Sequence, residues 1–183
     1  AHDYGDTVAQ ELMARQLDGS EHRLRTVTLL NGGLFAEAHR PLMVQRLLAS
    51  PLGRWLALGL NEKKLRKNLQ RICRQPLSDD DIAACWRFIQ LHQGTKVIPK
   101  LLSYMGERKR HRQRWVSALI DWAEPLHLIN GLADPISGQH MVDRYRQVVA
   151  KEPVTELSDV GHYPQLEAPN EVIRAVLGPV NAI

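Results

Sequence analysis

Three residues of the 183-residue chain have the types and surroundings that nucleophilic hydrolysis requires. Asp3 is the central residue of AHDYG, where the residues two before and two after it are small. This pattern predicts a tight strand-to-helix turn that strains the central residue and aims it at the positive end of the following helix. Asp134 lies downstream in NGLADP and His162 in DVGHYP. A nucleophile, a histidine that activates water and an acid that orients the histidine could together form a catalytic triad.

The elements that must position these residues alternate between strands and helices. Apolar runs predict strands at residues 23–31, 126–130 and 154–157. Helices are predicted from the Asp3 turn to Gly19-Ser20, over residues 139–149, and from residue 167 or 170 to residue 177. Alternating strands and helices predict a parallel sheet, so the fold class is α/β. Asp134 and His162 each follow a predicted strand end.

A long stretch between the first and second strands is predicted to be helical throughout. The expected helices span residues 41–50, 52–60, 62–73, 78–92, 95–105 and 108–122. Ser78, with Asp81 three residues later, is a candidate N-cap. We therefore expect residues 39–122 to form a helical cap, inserted into an α/β core made of residues 1–38 and 123–183. Three strands are too few for a sheet covered on both faces, so we expect further strands in a preceding segment outside this sequence.

The charge is unevenly distributed along the chain. The net charge is 24 − 20 = +4, yet residues 39–114 hold 17 Lys/Arg and 5 Asp/Glu (+12), and the remainder holds 7 and 15 (−8). The densest basic run, residues 108–114, is interpreted as a solvated helical face. Pairing of the basic segment with the acidic remainder and contact with an anionic surface both stay open. Nucleic acid is not an expected partner, because no helix-turn-helix, zinc-finger or RNP motif accompanies the run.

Composition and motifs predict a cytoplasmic protein without metal or cofactor. No stretch approaches 18 uncharged apolar residues, and the first residues lack the basic and apolar regions of a signal peptide. Cys73 and Cys85 have no CxxC spacing, which favours a reducing compartment. The histidines share no metal-ligand spacing, and Gly32-Gly33 lacks the GxGxxG pattern of a dinucleotide site.

Two motifs resemble a known enzyme family. The segment HDYG is similar to the HDWG nucleophile elbow of α/β-hydrolases with an aspartate nucleophile, the epoxide hydrolases and haloalkane dehalogenases. The segment GHYPQLEAPNEV is similar to their catalytic-histidine segment. The stretches HDYGDTVAQEL and LNGGLF resemble the mesoderm-specific-transcript branch and its bacterial relatives. The resemblance implies an α/β-hydrolase fold with a helical cap, of which this sequence holds the C-terminal part.

The resemblance also implies roles for five residues. Asp3 would form an alkyl-enzyme ester, and His162, oriented by Asp134, would activate the water that hydrolyses it. The backbone N–H of Tyr4 would stabilise the oxyanion. Tyr104 would protonate the oxygen of an opening epoxide, or would instead pack the cap onto the core.

The implied activity is cofactor-independent, epoxide-hydrolase-like hydrolysis of small apolar electrophiles. One alternative is a haloalkane dehalogenase or esterase-type hydrolase, although dehalogenases usually have Trp where this chain has Tyr4. A second alternative is a non-catalytic binding protein with a basic cap.

Overall fold

The computed structural model describes residues 1–21, 23–151 and 153–178. Three strands, β1 (Val27–Leu30), β2 (Leu126–Gly131) and β3 (Val154–Leu157), form a parallel sheet in the order β1-β2-β3. Ala1 and His2 run parallel to β1 along its other edge, where the N–H of Leu30 donates to Ala1 (3.1 Å) and that of Asp3 donates to Leu30 (3.2 Å). The carboxyl ends of all these segments therefore meet at one edge of the sheet, where ligands bind in open α/β folds.

Helices pack on both faces of this three-stranded sheet, so the expectation that three strands are too few for that arrangement is wrong. The main apolar core includes Leu29 and Leu128 of the strands, with α1 (Tyr4–Leu17), α8 (Arg112–Asp121) and α9 (Gln139–Val148) contributing side chains on that face. Leu30 and Ile129 point the opposite way and pack on α11 (Pro169–Leu177), which follows the short α10 (Pro164–Glu167). Strand β2 is buried along its whole length, including the polar side chains of His127 and Asn130.

The segment between β1 and β2 folds into helices and turns. Its helices, before α8, are α2 (Met43–Leu48), α3 (Gly53–Leu58), α4 (Glu62–Ile72), α5 (Asp79–Gln90), α6 (Gly94–Leu101) and α7 (Tyr104–Arg110), with a 3₁₀ turn at Leu91–Gln93. Ser78 caps α5 as predicted, because its Oγ accepts from the N–H of Asp81 at 3.1 Å. No helix in the described ranges is both long and apolar enough to cross a membrane.

The predicted helix boundaries are wrong at the end of this segment. Instead of helices at 95–105 and 108–122, the chain forms α6, α7 and α8, with turns at Leu102-Ser103 and at His111. His111 separates α7 from α8 with a backbone conformation of φ −102° and ψ 16°. Tyr104 and Arg108, one helical turn apart on α7, are both buried.

Candidate active site

The turn between the first residues and α1 has the strained geometry that its sequence predicts. Asp3 has φ 48° and ψ −107°, a sparsely populated region for a non-glycine residue. A Cβ added to Gly5 would lie 3.6 Å from the Cβ of Ala1, so the small residues flanking Asp3 pack on each other across the turn. The carboxylate is thereby presented beside the N-terminus of α1, whose dipole favours negative charge.

The structure brings Asp3, His162 and Asp134 together. His162 Nδ1–H donates to Asp134 Oδ2 at 2.8 Å, and His162 Nε2 lies 3.7 Å from Asp3 Oδ2. His2 lies behind the turn, where its Nε2–H donates to the carbonyl oxygen of His162 at 2.7 Å. The order of contacts, carboxylate to imidazole to carboxylate, is the geometry expected of a nucleophile, a base and an orienting acid.

The charges of this cluster reinforce one another. Burial opposes ionisation of Asp3, but His162, Arg108 and His2 outweigh it and lower the pKa of Asp3 to about 2. Burial likewise opposes the charged form of His162, but hydrogen bonds to Asp134 and Asp3 raise its pKa above the ordinary value. The pKa of Asp134 is lowered, because its hydrogen bonds from His162, Ile136 and Ser137 outweigh burial. Asp3 is thus ionised at neutral pH, as a carboxylate nucleophile must be.

The Asp134 carboxylate is fixed by groups that the sequence analysis did not single out. Its Oδ2 accepts from Asn31 Nδ2 (3.0 Å) and Ser137 Oγ (2.7 Å), and its Oδ1 accepts from the N–H of Ile136 (2.8 Å). Asn31 also joins β1 to β2, since its side chain exchanges hydrogen bonds with the backbone of Gly131. The available signal was position, because Asn31 directly follows the first strand in LNGG, at the same sheet edge as Asp134.

Tyr104, the first residue of α7, reaches the Asp3 carboxylate. Its hydroxyl donates to Asp3 Oδ1 at 3.4 Å, and its ring packs on that of Tyr4 with centroids 4.8 Å apart. Burial, followed by the Asp3 charge, raises the pKa of Tyr104, so the phenol keeps its proton at neutral pH. Tyr4 is the first residue of α1, and its backbone N–H belongs to the first helical turn, where amides have no intrahelical acceptor.

The interpretation of residues 108–114 as a solvated face is wrong for Arg108. Its side chain is 2% exposed, with Nε donating to Thr7 Oγ1 (2.7 Å) and Nη2 donating to the carbonyl oxygen of Asp3 (3.2 Å). Its guanidinium lies over the Tyr104 ring, 4.4 Å from the centroid. The spacing Tyr104–Arg108, four residues on one helix, is the signal that links the two. Arg108 therefore braces the strained turn and lowers the pKa of the nucleophile.

No group of three or more His, Cys, Asp or Glu side chains suited to a metal ion occurs within the described ranges. The donors around Asp3 are instead a histidine, a phenol and a guanidinium, which stabilise anions and move protons.

Comparison with known proteins identifies relatives along almost the whole chain. No family model matches the sequence. LipZ of Mycobacterium tuberculosis, named as a hydrolase, is 37% identical over 180 residues, covering 97% of this chain and 62% of that protein. The mesoderm-specific transcript homolog protein of Bos taurus is 37% identical over 191 residues, covering 100% of this chain and 57% of that protein. The chain thus spans about three fifths of the length of the curated relatives it matches.

Comparison with a solved structure shows the fold of the chain. An alpha/beta hydrolase fold protein of Burkholderia ambifaria superposes with a TM-score of 0.72 at 22% identity, covering 97% of this chain and 64% of that one. At this identity the likeness shows the arrangement of the elements and carries no information about substrate.

Proposed function

We propose that this chain, which has the fold of an α/β-hydrolase, is a hydrolase that forms an alkyl-enzyme ester on Asp3. The observation that carries this proposal is the position of the Asp3 carboxylate. It lies at a strained turn with one oxygen 3.7 Å from His162 Nε2 and the other 3.4 Å from Tyr104 Oη. A base and a proton donor thus contact opposite oxygens of one ionised nucleophile. The substrate class we propose is a small apolar epoxide.

In the first step Asp3 attacks a ring carbon of the epoxide. A carbon–oxygen bond forms to the carboxylate, the ring carbon–oxygen bond breaks, and the electron pair goes to the departing oxygen. Tyr104 Oη–H is the acid that donates its proton to that oxygen. The raised pKa of Tyr104 keeps this proton available, and the buried guanidinium of Arg108 next to the ring stabilises the phenolate that remains.

In the second step His162 removes a proton from water, and the hydroxide attacks the ester carbonyl carbon of Asp3. The N–H of Tyr4 donates to the oxyanion of the tetrahedral intermediate. Collapse of the intermediate breaks the ester carbon–oxygen bond, and the departing alkoxide takes the proton of the new carboxyl group, which releases the diol and restores the Asp3 carboxylate. His162 then loses its extra proton to solvent, and the Tyr104 phenolate regains a proton from solvent. Asp134 holds the Nδ1–H of His162 throughout, which leaves Nε2 as the base.

Trapping the ester tests this mechanism. His162→Gln removes the base of the second step and leaves the nucleophile, so the variant should accumulate an adduct with styrene oxide as the probe. Intact-mass spectrometry should show one full substrate mass, and peptide mapping should place it on Asp3. Asp3→Asn is the matched control and should give no mass shift. An unmodified Asp3 in His162→Gln across a panel of epoxides and alkyl halides would contradict the mechanism and favour a binding protein with a basic cap.

The alkyl halides in that panel separate the epoxide from the halide activity. A halide adduct would add the substrate mass minus hydrogen halide, and Tyr104→Phe should slow adduct formation with styrene oxide but not with 1-bromohexane. The halide activity is the weaker candidate, because Tyr4 offers no indole N–H after the nucleophile. Equal effects of Tyr104→Phe on both probes would remove the acid role from Tyr104.

A further inference from the structure

Glu167, the last residue of α10, accepts four backbone hydrogen bonds from two distant segments. Its Oε2 accepts from the N–H groups of Arg74 (2.6 Å), Gln75 (2.9 Å) and Gly161 (2.9 Å), and its Oε1 accepts from that of Tyr163 (3.0 Å). Arg74 and Gln75 belong to the connection between α4 and α5, in the cap. Gly161 and Tyr163 flank His162. One carboxylate therefore joins the loop of the triad histidine to the cap.

The two segments also contact each other directly beside this carboxylate. The N–H of His162 itself donates to the carbonyl oxygen of Ile72, at the end of α4, at 2.9 Å. A Cβ on Gly161 would lie 2.4 Å from that same oxygen and 2.8 Å from the Cα of Cys73, so the two backbones approach as closely as glycine allows. The triad histidine is thus held by the cap as well as by the strand that precedes it.

Other links between these segments are weaker than the Glu167 contacts. Arg74 Nε pairs with Asp159 at 2.9 Å, but the two side chains are 64% and 71% exposed, and exposed ion pairs contribute little. Hydrogen bonds from backbone N–H groups to an ionised carboxylate are about twice as strong as neutral ones. The four residues whose N–H groups donate to Glu167 all lie outside helices and strands, so no regular backbone ladder fixes the separation of the two segments.

We propose that Glu167 is a positioning residue that locks the His162 loop onto the cap, keeping His162 aimed at Asp3 during hydrolysis of the ester. This inference rests on the proposed function, because it assigns Glu167 to the second step of that mechanism. Alkylation uses the carboxylate of Asp3 and the hydroxyl of Tyr104, and neither group contacts Glu167. Glu167 should therefore affect one half-reaction and spare the other.

Two variants and a matched control test the proposal, in the protein as its gene encodes it. Glu167→Ala removes all four acceptor contacts, and Glu167→Gln keeps one carbonyl oxygen and loses the charge. Glu171→Gln is the control, since this glutamate lies on the neighbouring helix and pairs with Arg174 at the surface. Thermal melting followed by circular dichroism identifies any variant that fails to fold. If Glu167→Ala does not fold, the proposal is tested with Glu167→Gln.

The expected kinetic result is a split between the half-reactions. With styrene oxide, Glu167→Ala should form the Asp3 adduct at close to the parent rate and hydrolyse it about 100-fold more slowly, the scale of a lost general base. The rate of adduct hydrolysis in Glu167→Gln should lie between those of Glu167→Ala and the parent. Both rates in Glu171→Gln should match those of the parent. Equal losses in both half-reactions, or no loss in either, would overturn the proposal.

A second measurement does not depend on any substrate. The contacts of His162 with Asp134 and Asp3 raise its pKa, so a displaced loop should let that pKa fall toward the ordinary value near 6.5. NMR titration of the ring, assigned by its loss in His162→Gln, should show this fall in both Glu167 variants and not in Glu171→Gln. If His162→Gln forms no adduct, the proposed function is wrong. The titration still tests whether Glu167 positions His162, because it needs no substrate. An unchanged His162 pKa in folded Glu167 variants would refute the positioning role.

Discussion

His162 contacts two carboxylates, and this arrangement controls when it can act as a base. In the free protein Asp134 at 2.8 Å and Asp3 at 3.7 Å both favour the protonated imidazole. A protonated imidazole cannot accept a proton from water. Formation of the ester on Asp3 removes one of the two negative charges, which lowers the pKa of His162. The proposed mechanism would therefore generate its base at the step that needs it.

Asp3→Asn should reproduce this effect without a substrate. The amide is nearly isosteric and uncharged, so the pKa of His162 should fall below its value in the parent protein. Asp134→Asn should lower it at least as far, because the Asp134 hydrogen bond is the largest contribution that raises it. NMR titration of the ring measures both shifts. A pKa of His162 that is the same in Asp3→Asn and the parent would contradict the coupling.

The same coupling sets the sign of a pH effect on stability. The folded-state pKa of His162 lies above the unfolded value, so its ion pairs stabilise the fold fully below about pH 6.5. This contribution is lost as the pH rises through the folded-state pKa. In Asp3→Asn the folded-state pKa of His162 should be lower. The contribution of His162 to the free energy of unfolding should therefore be lost at a lower pH than in the parent protein.

At the scale of elements, the sequence predicts the strands and the strand-end residues better than the later cap helices. The sequence locates β2 through Leu126, Leu128 and Ile129, which are buried in the strand. It also locates β3, although the residues of that strand are only partly buried. The breaks at Leu102-Ser103 and His111 have no glycine or proline to mark them. Tertiary contacts account for them, since the breaks let α7 direct Tyr104 and Arg108 toward Asp3. Arg108 was missed for the same reason, because its burial depends on partners distant in sequence.

The junction between β1 and the cap depends on the contact between Gly33 and Arg108. A Cβ on Gly33 would lie 1.9 Å from Arg108 Nη1, and the guanidinium is held in place by Thr7 and Asp3. Gly33→Ala should therefore lower the free energy of unfolding by about 1–3 kcal/mol, the usual cost of overpacking. Arg108→Met should also destabilise, because it leaves the Asp3 carbonyl oxygen without that donor.

Combining the two substitutions tests whether they act through one contact. In Gly33→Ala/Arg108→Met the flexible Met can move away from the new methyl group, so the double variant should lose less than the sum of the single losses. The expected difference is about 0.5–3 kcal/mol, measured by urea unfolding. Strict additivity would show that Gly33 and Arg108 are energetically independent.

At the scale of the whole molecule, some residues of the basic segment form ion pairs with acidic residues elsewhere in the chain. The basic segment contributes Arg74, Arg112 and Arg114, which pair with acidic residues of the remainder. Arg112 Nε donates to Glu37 at 2.8 Å. Pairing between the two parts was one of the interpretations that the sequence left open. Composition alone could not show that the basic segment pairs with the acidic remainder, because net charge does not specify which residues meet across an interface.

Substitution of Glu11, on α1, tests how much these ion pairs stabilise the chain. Its carboxylate accepts from Arg15 (2.9 Å), Arg114 (3.0 Å) and Trp115 Nε1 (2.7 Å). A double-mutant cycle of Glu11→Gln with Arg114→Gln should give a small favourable coupling free energy at low salt, as exposed ion pairs do. The coupling should shrink in 1 M NaCl, where the screening length falls to about 3 Å. The surface pair Glu171–Arg174, within α11, is the matched control and should show weaker coupling because its carboxylate serves one arginine at the surface. A coupling free energy near zero for Glu11 and Arg114 would mean that this ion pair does not stabilise the contact between α1 and α8.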